Sequence, residues 1–330
     1  MRDVARRAGV SPKTVSNVVN GTFPVSPQTR VRVEEALVAL DYVPNLSARG
    51  LRNGRTGVIA LALPDLTTAY SAEMAHHFVV AARERGLSVQ LQETAGGPEG
   101  ERELLSRARA QLVDGLILNP VLLETSAIQR GMSLPLPPVV LIGEVDQPIA
   151  DHVWIDNVAA CRDLTSLLID QGHRRIAILG AMESESSRLR LRGYSQALIE
   201  SGLPVEPELR IETSDWTVAG GANAMRAYLA GHALPDAVFC LTDSMAVGAL
   251  SVLWAEGHRV PDDISVAGYD DVLDAAYAVP ALTTVGFDRR KLVDTALDLL
   301  TERIADDTRA TSSVIMPYSL VVRSSTAPRR

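Results

Sequence analysis

The stretch Asp3–Gly21, DVARRAGVSPKTVSNVVNG, decides how the rest of the chain is read. Val4, Ala5 and Ala8 form one apolar stripe at helical spacing, and Val15, Val18 and Val19 form a second. Gly9 between them offers a backbone position open to positive φ, which a sharp turn needs. Ser11 suits an N-cap, Pro12 a first turn, and Asn20-Gly21 a helix end. The pattern predicts helix, turn, helix, with Pro12, Lys13, Ser16 and Asn17 on the outward face. A second helix of this size fits the major groove of DNA.

Working outward, Ser26-Pro27 announces a third helix whose Val33, Ala36, Leu37 and Leu40 close a small core over the first two. Tyr42-Val43-Pro44-Asn45 breaks the pattern, LSARGL follows at 46–51, and a polar run from Arg52 to Gly57 marks a domain boundary. Past Gly57 short apolar strands alternate with amphipathic helices. Strands are expected at 58–63, 87–91, 115–118, 139–142 and 153–155, then at 176–179, 209–212, 237–240 and 264–268. Continuous apolar strands between helices imply parallel sheets covered on both faces. Two such series predict an α/β core of two doubly wound lobes whose C-terminal strand ends face each other across a cleft.

The net charge of −8 argues against nucleic acid until it is divided. Residues 1–55 hold nine basic and four acidic residues, a net +5, whereas the remainder holds 23 basic and 36 acidic, a net −13. A small basic head on a large acidic body suits a head that meets phosphate and a body that does not. Cys161 and Cys240 sit among apolar neighbours without metal-ligand spacing and read as buried thiols in a reducing cytosol. No apolar run follows a basic start and none approaches about 18 residues, so no signal peptide or membrane span is expected, and the location expected is cytoplasmic.

These segments together resemble the LacI/GalR family of transcriptional regulators over nearly the whole chain. Besides the opening stretch, the resemblance is carried by YVPNLSARGL at 42–51, GHRRIAILG at 172–180, PDAVFCLTDSMAVGAL at 235–250, and VPDDISVAGYDD with PALTTV at 260–271 and 280–285. Five matches in the right order are specific. The resemblance implies a helix-turn-helix DNA-binding domain at 1–44, a hinge helix and linker at 45–56, and a periplasmic-binding-protein-like effector and dimerisation core at 57–330. It further implies interleaved lobes, about 57–155 with 286–314 and about 156–285 with 315–330, and crossings near Ile155, Val285 and Ile315.

By the same resemblance, Pro12, Lys13 and Asn17 face base edges, Lys13 toward guanine O6 and N7 and Asn17 toward adenine. Thr14 and Ser16 carry short hydroxyls suited to phosphate. Many relatives have Arg where this chain has Asn17, which changes the base that can be read. The hinge, too short to be helical alone, would fold as two copies pack in the minor groove. There Ala48 allows close approach, Arg49 reaches phosphate and Leu51 wedges between base pairs. Gly50 disfavours that helix by about 1 kcal/mol against alanine. Met1-Arg2 stands where relatives usually have a capping Thr, leaving the first helix uncapped.

For the cleft, the resemblance implies that Asp270 anchors ligand hydroxyls, that Arg190 reaches the same ligand, and that Trp216 stacks on a sugar ring. Asp65, Tyr70 and Glu144 are expected from the first lobe, and Asp243, with Thr242 beside it, from the second. Ser71 stands where relatives often have a second aromatic. The expected function is a homodimeric repressor on a palindromic double-stranded operator, controlled by a sugar or sugar derivative, with no cofactor, metal or membrane partner. A periplasmic sugar receptor would leave the head unexplained. An enzyme has little support: His76-His77 falls within an amphipathic helix, and neither a Walker loop nor a GxSxG elbow is present. No leucine-heptad tail follows Val322, which favours a dimer over a tail-built tetramer.

Overall fold

The computed structural model describes residues 1–20, 23–42, 55–108, 113–121, 136–143, 145 and 150–329. It divides into two compact units, Met1–Thr56 and Gly57–Arg330. The hinge residues Ala48, Arg49 and Leu51, and the cleft candidate Glu144, lie outside the described residues.

The first unit holds three helices, α1 (Arg2–Ala8), α2 (Pro12–Asn20) and α3 (Pro27–Ala39). Gly9 ends α1 in the left-handed region, at φ 63° and ψ 39°, where a side chain would be strained. Val4, Ala5, Ala8, Val15, Val18, Val33 and Ala36 are buried together, so each helix contributes its apolar stripe. Ser11 accepts the Thr14 amide at 3.1 Å and Ser26 accepts the Thr29 amide at 3.3 Å, the N-cap bonds that open α2 and α3. Met1 at the N-cap of α1 makes no side-chain cap. Leu40 departs from expectation: it follows the last turn of α3 as its C-cap and is 40% exposed, so the core stripe stops at Leu37.

The second unit is built on two six-stranded sheets of matching order. The first contains β1 (Val58–Leu63), β2 (Ser88–Glu93), β3 (Gly115–Leu118), β4 (Val139–Ile142), β5 (Asp151–Ile155) and β11 (Ser313–Met316), in the order β11-β5-β4-β3-β1-β2. The second contains β6 (Ile176–Ala181), β7 (Arg210–Glu212), β8 (Ala237–Cys240), β9 (Ser265–Tyr269), β10 (Thr283–Phe287) and β12 (Tyr318–Val321), in the order β12-β10-β9-β8-β6-β7. Every pairing is parallel except β10 with β12.

Helices α4 (Ala69–Glu84), α5 (Pro98–Ala108) and α11 (Arg289–Ala305) belong with the first sheet. Helices α6 (Asn157–Asp170), α7 (Glu185–Glu200), α8 (Val218–Gly231), α9 (Asp243–Ala255) and α10 (Leu273–Tyr277) belong with the second. Strand β1 shows why both faces must be covered. Ile59, Leu61 and Leu63 pack with Phe78 and Leu297 on one side, and Ala60 and Ala62 pack with Leu104 and Leu105 on the other.

The chain passes between sheets at Asp156, between Phe287 and Arg289, and at Pro317. Strands β10, β11 and β12 escaped sequence reading. The last two are four residues each and show mixed exposure, as each lies at a sheet edge. Edge strand β11 is fixed instead by charge: the buried Asp151 carboxylate takes Arg303 at 2.9 and 3.1 Å, Arg309 at 2.9 Å and the Ser312 amide at 2.8 Å. No helix among the described residues is long and apolar enough to cross a membrane.

Two buried histidines make this unit acid-sensitive. Burial holds the imidazoles of His152 and His173 below their ordinary value of 6.5. The unfolded chain therefore binds more protons once the pH falls below that value, and stability is lost from there downward until the lowered folded values are passed. Between about pH 7 and about pH 5 the melting temperature of His173→Gln should fall less than that of the parent chain in pH-dependent calorimetry.

Candidate functional site

The C-terminal strand ends of both sheets open on one cavity of about 220 Å³. Short polar caps follow those ends, because a helix leaving a strand exposes amides that need acceptors. Thr68 accepts the Ser71 amide at the start of α4, Ser184 that of Ser187 at α7, Thr217 that of Gly220 at α8, and Thr242 that of Met245 at α9. The cavity wall thus combines hydroxyls with the aromatic rings of Tyr70, Trp154, Trp216, Tyr269 and Phe287.

Arg190 projects from α7 into this wall and is 7% exposed. Its Nε donates to Asn157 Oδ1 at 2.8 Å and its Nη1 donates to the Leu241 carbonyl. Its guanidinium carbon lies 3.7 Å from the centroid of the Tyr269 ring and 5.3 Å from that of Trp216. Nη2 lies 3.9 Å from Asp270 Oδ1. The arginine is therefore oriented from behind, with its third nitrogen turned toward the acid and the cavity. Such a pair offers charged donors and acceptors to a polar ligand.

The acid sits on strained backbone. Asp270 has φ 111° and Asp271 φ 53°, a region that L residues other than Asn and Asp seldom enter. Several contacts hold the loop there. The Asp270 amide donates to the Val285 carbonyl at 2.9 Å, Arg289 donates to the Asp270 carbonyl, and Arg323 pairs with Asp271 at 2.7 Å. Asp243 supplies a further brace: its Oδ2 accepts the Val272 amide at 2.9 Å, and the Thr284 hydroxyl bonds its Oδ1 at 2.6 Å. Gly268 makes room for that carboxylate, since a Cβ there would lie 2.1 Å from Asp243 Oδ1.

Asp243 accordingly corrects the sequence reading. It is fully buried, lies behind the Asp270 loop rather than on the cavity wall, and leaves the capping of α9 to Thr242. Burial, reinforced by the neighbouring Asp270, pushes its carboxyl well above the usual carboxylate range.

Asp65, Tyr70, Arg190, Trp216 and Asp270 all line the cavity, as does Ser71. Asp65 Oδ1 is engaged by the Thr67 amide at 2.8 Å and hydroxyl at 2.6 Å, shaping the turn before α4. Trp216 is tethered by its Nε1 donating to the Gly180 carbonyl at 2.8 Å, which fixes the plane of the indole. Asn119 Nδ2 lies 3.4 Å from the Tyr70 hydroxyl. Sequence reading missed Tyr269, Asn157, Asn119, Trp154, Ser186 and Asp215. Tyr269 and Asp215 had a local signal, standing just before Asp270 and Trp216; the others gather only through the fold. Asp215 repeats the Asp65 turn, taking the Thr217 amide and hydroxyl, and the hydroxyl holds its carboxyl below the usual value.

In the first unit Pro12 and Lys13 are exposed, and Thr14, Ser16 and Asn17 are partly so, all on α2. The Thr14 hydroxyl lies 2.9 Å from that of Ser11, so it takes part in the cap. Among the described residues no group of three or more His, Cys, Asp or Glu could hold a metal ion.

A helix-turn-helix head in one chain with a clefted, two-sheet core defines a DNA-binding regulator with a ligand-binding body. Comparison with known proteins makes the assignment specific. Residues 1–45 match bacterial regulatory proteins of the lacI family, and residues 165–326 match a periplasmic binding protein-like domain. The ribose operon repressor of Escherichia coli (strain K12) is 36% identical over 312 residues, covering 93% of this chain and 94% of its own. A Lac repressor dimer bound to operator and the anti-inducer ONPF superposes with a TM-score of 0.87, at 31% identity and 98% coverage of both chains. A complex of the transcriptional regulator CelR with cellobiose superposes with a TM-score of 0.73, at 33% identity and 98% coverage of both chains. The chain belongs to the lacI family of bacterial regulatory proteins.

The Asp243 brace has a measurable signature. Asparagine keeps the shape of the side chain and one acceptor oxygen for the Val272 amide, whereas alanine leaves the Val272 amide and Thr284 hydroxyl without their partner. In urea denaturation Asp243→Ala should lose about 1–3 kcal/mol, and Asp243→Asn should retain most of that stability.

Proposed function

We propose that the chain is a cytoplasmic, homodimeric repressor whose grip on a palindromic operator is set by a sugar or sugar derivative bound in the cavity. The observation that carries this reading is the Arg190–Asp270 pair, 3.9 Å apart and set among Trp216 and Tyr269. A sugar presents hydroxyls along its rim and C–H bonds on its faces, and the pair with its aromatic surround answers both. The names of relatives point the same way: one is a ribose operon repressor, and another is solved with cellobiose. Asp65 and Tyr70 would contact the ligand from the first sheet, Glu144 would join them, and Asp215 adds an acid opposite.

On the DNA side, Lys13 and Asn17 would read base edges, Pro12 would pack against them, and Thr14 and Ser16 would set the head on phosphates. Ala48, Arg49 and Leu51 would form the paired hinge at the operator centre. Two-fold pairing is supported by an exposed apolar run in the second unit, where Leu273, Tyr277 and Val279 are 65%, 78% and 93% exposed. A second copy of the chain would cover them, and a similar structure, that of the Lac repressor, is a dimer.

Three outcomes are expected. Binding to a palindrome from the gene's own upstream region should weaken steeply with salt. In mobility shifts there, Lys13→Ala and Asn17→Ala should each cost about 1–3 kcal/mol on that palindrome and little on unrelated duplex. Equal losses on both would remove the base-reading role. Asp270→Asn, which tolerates the same positive φ, should abolish the rise in melting temperature caused by ribose, cellobiose or related sugars. The unliganded melting temperature should be unchanged; a full ligand shift in that variant would place the ligand elsewhere.

A further inference from the structure

Loop Asp270–Leu273 belongs to the second sheet, yet two residues carried by elements of the first sheet grip it. Glu73 on α4 accepts the Leu273 amide through Oε1 at 2.6 Å. Arg289, the first residue of α11, donates through Nη2 to the carbonyl of Asp270. The two are paired with each other, Arg289 Nε to Glu73 Oε2 at 3.3 Å, with the arginine side chain only 10% exposed. The Arg289 guanidinium also lies 5.2 Å from the Phe287 ring, which lines the cavity at the second crossing.

From this arrangement we infer that Glu73 is a positioning residue, forming with Arg289 a bracket by which the first lobe sets the placement of Asp270. The bracket closes only when the sheets stand at the separation seen here, since Glu73 and Arg289 are carried by elements of the first sheet and the loop they hold belongs to the second. Asp270 is at once the acid that faces Arg190 and the residue whose carbonyl the bracket holds. Any change in lobe separation therefore moves the acid, and a ligand pulling on the acid loads the bracket. Glu73 is thus coupled to the cavity without lining it, although Tyr70 and Ser71 of the same helix do line it. This inference rests on the reading of Asp270 as the ligand anchor only for its biological meaning; the bracket itself is testable without ligand.

The test uses the full chain. Spin labels at Gln90→Cys on β2 and Arg210→Cys on β7, one exposed edge position per sheet, report lobe separation by pulsed electron resonance. The native Cys161 and Cys240 are fully buried and should not take label, and labelled chains are diluted into excess unlabelled protein to isolate distances within one protomer. Glu73→Ala should broaden the distance distribution toward longer values and raise amide exchange across 270–277 by about tenfold, with β1 and β8 unchanged. Glu73→Gln, which keeps an oxygen for the Leu273 amide, should restore most of both. Arg289→Gln reads the same bracket from its other arm and stands in if Glu73→Ala folds poorly. Faster exchange at Leu273 with an unaltered label distance in both variants would reduce Glu73 to a local cap and overturn the inference. Failure of Asp270→Asn to affect sugar binding would overturn only the ligand assignment.

Discussion

Two aspartates at positive φ, Asp270 and Asp271, form the point on which the cleft depends, and a buried carboxylate keeps them there. Asp243 joins the start of α9, the strand β10 through Thr284, and the Val272 amide. Removing it from solvent carries a desolvation cost, which a raised proton affinity and two hydrogen bonds offset. The result is a loop whose backbone would relax without its neighbours. Strain of this kind persists only when surrounding contacts over-determine it.

The matching strand orders of the two sheets explain why the cleft exists at all. Parallel strands deliver every following helix N-terminus to the same end, so each lobe presents caps and turns rather than apolar surface there. The Asx turns at Asp65 and Asp215 show one solution used in both lobes. Because the chain passes between lobes at Asp156, near Asp288 and at Pro317, neither lobe is made of one continuous segment. Asn157, placed just after the first passage, bonds the Ile155 carbonyl and Arg190 together. The first passage and the cavity arginine therefore share a residue.

Charge separates the tasks of the two units. The net +5 of residues 1–55 favours approach to a phosphate backbone, and the net −13 of the remainder disfavours nonspecific adhesion of the body. A lacI-family regulator needs this division, since sequence-specific grip must come from the small head while the body answers to a metabolite.

The residues alone determined the helix-turn-helix and most strands of the core, because those features are written in local periodicity and caps, which need no partner to be read. The cleft candidates Arg190, Trp216 and Asp270 came from the resemblance of contiguous motifs to the lacI family, and Asp65 and Tyr70 from their place after the first strand of the core. Three things were left to the tertiary structure. Edge strands β11 and β12 are short and only partly buried, and β11 takes its place partly from the Asp151 clamp. Asp243 looks like a wall residue by its position after a strand, but a neighbouring loop and Gly268 close over it. Glu73 meets Leu273 across two hundred residues, a contact that no spacing in the sequence encodes. Distant residues meet only once the sheets have formed and the chain has passed between them.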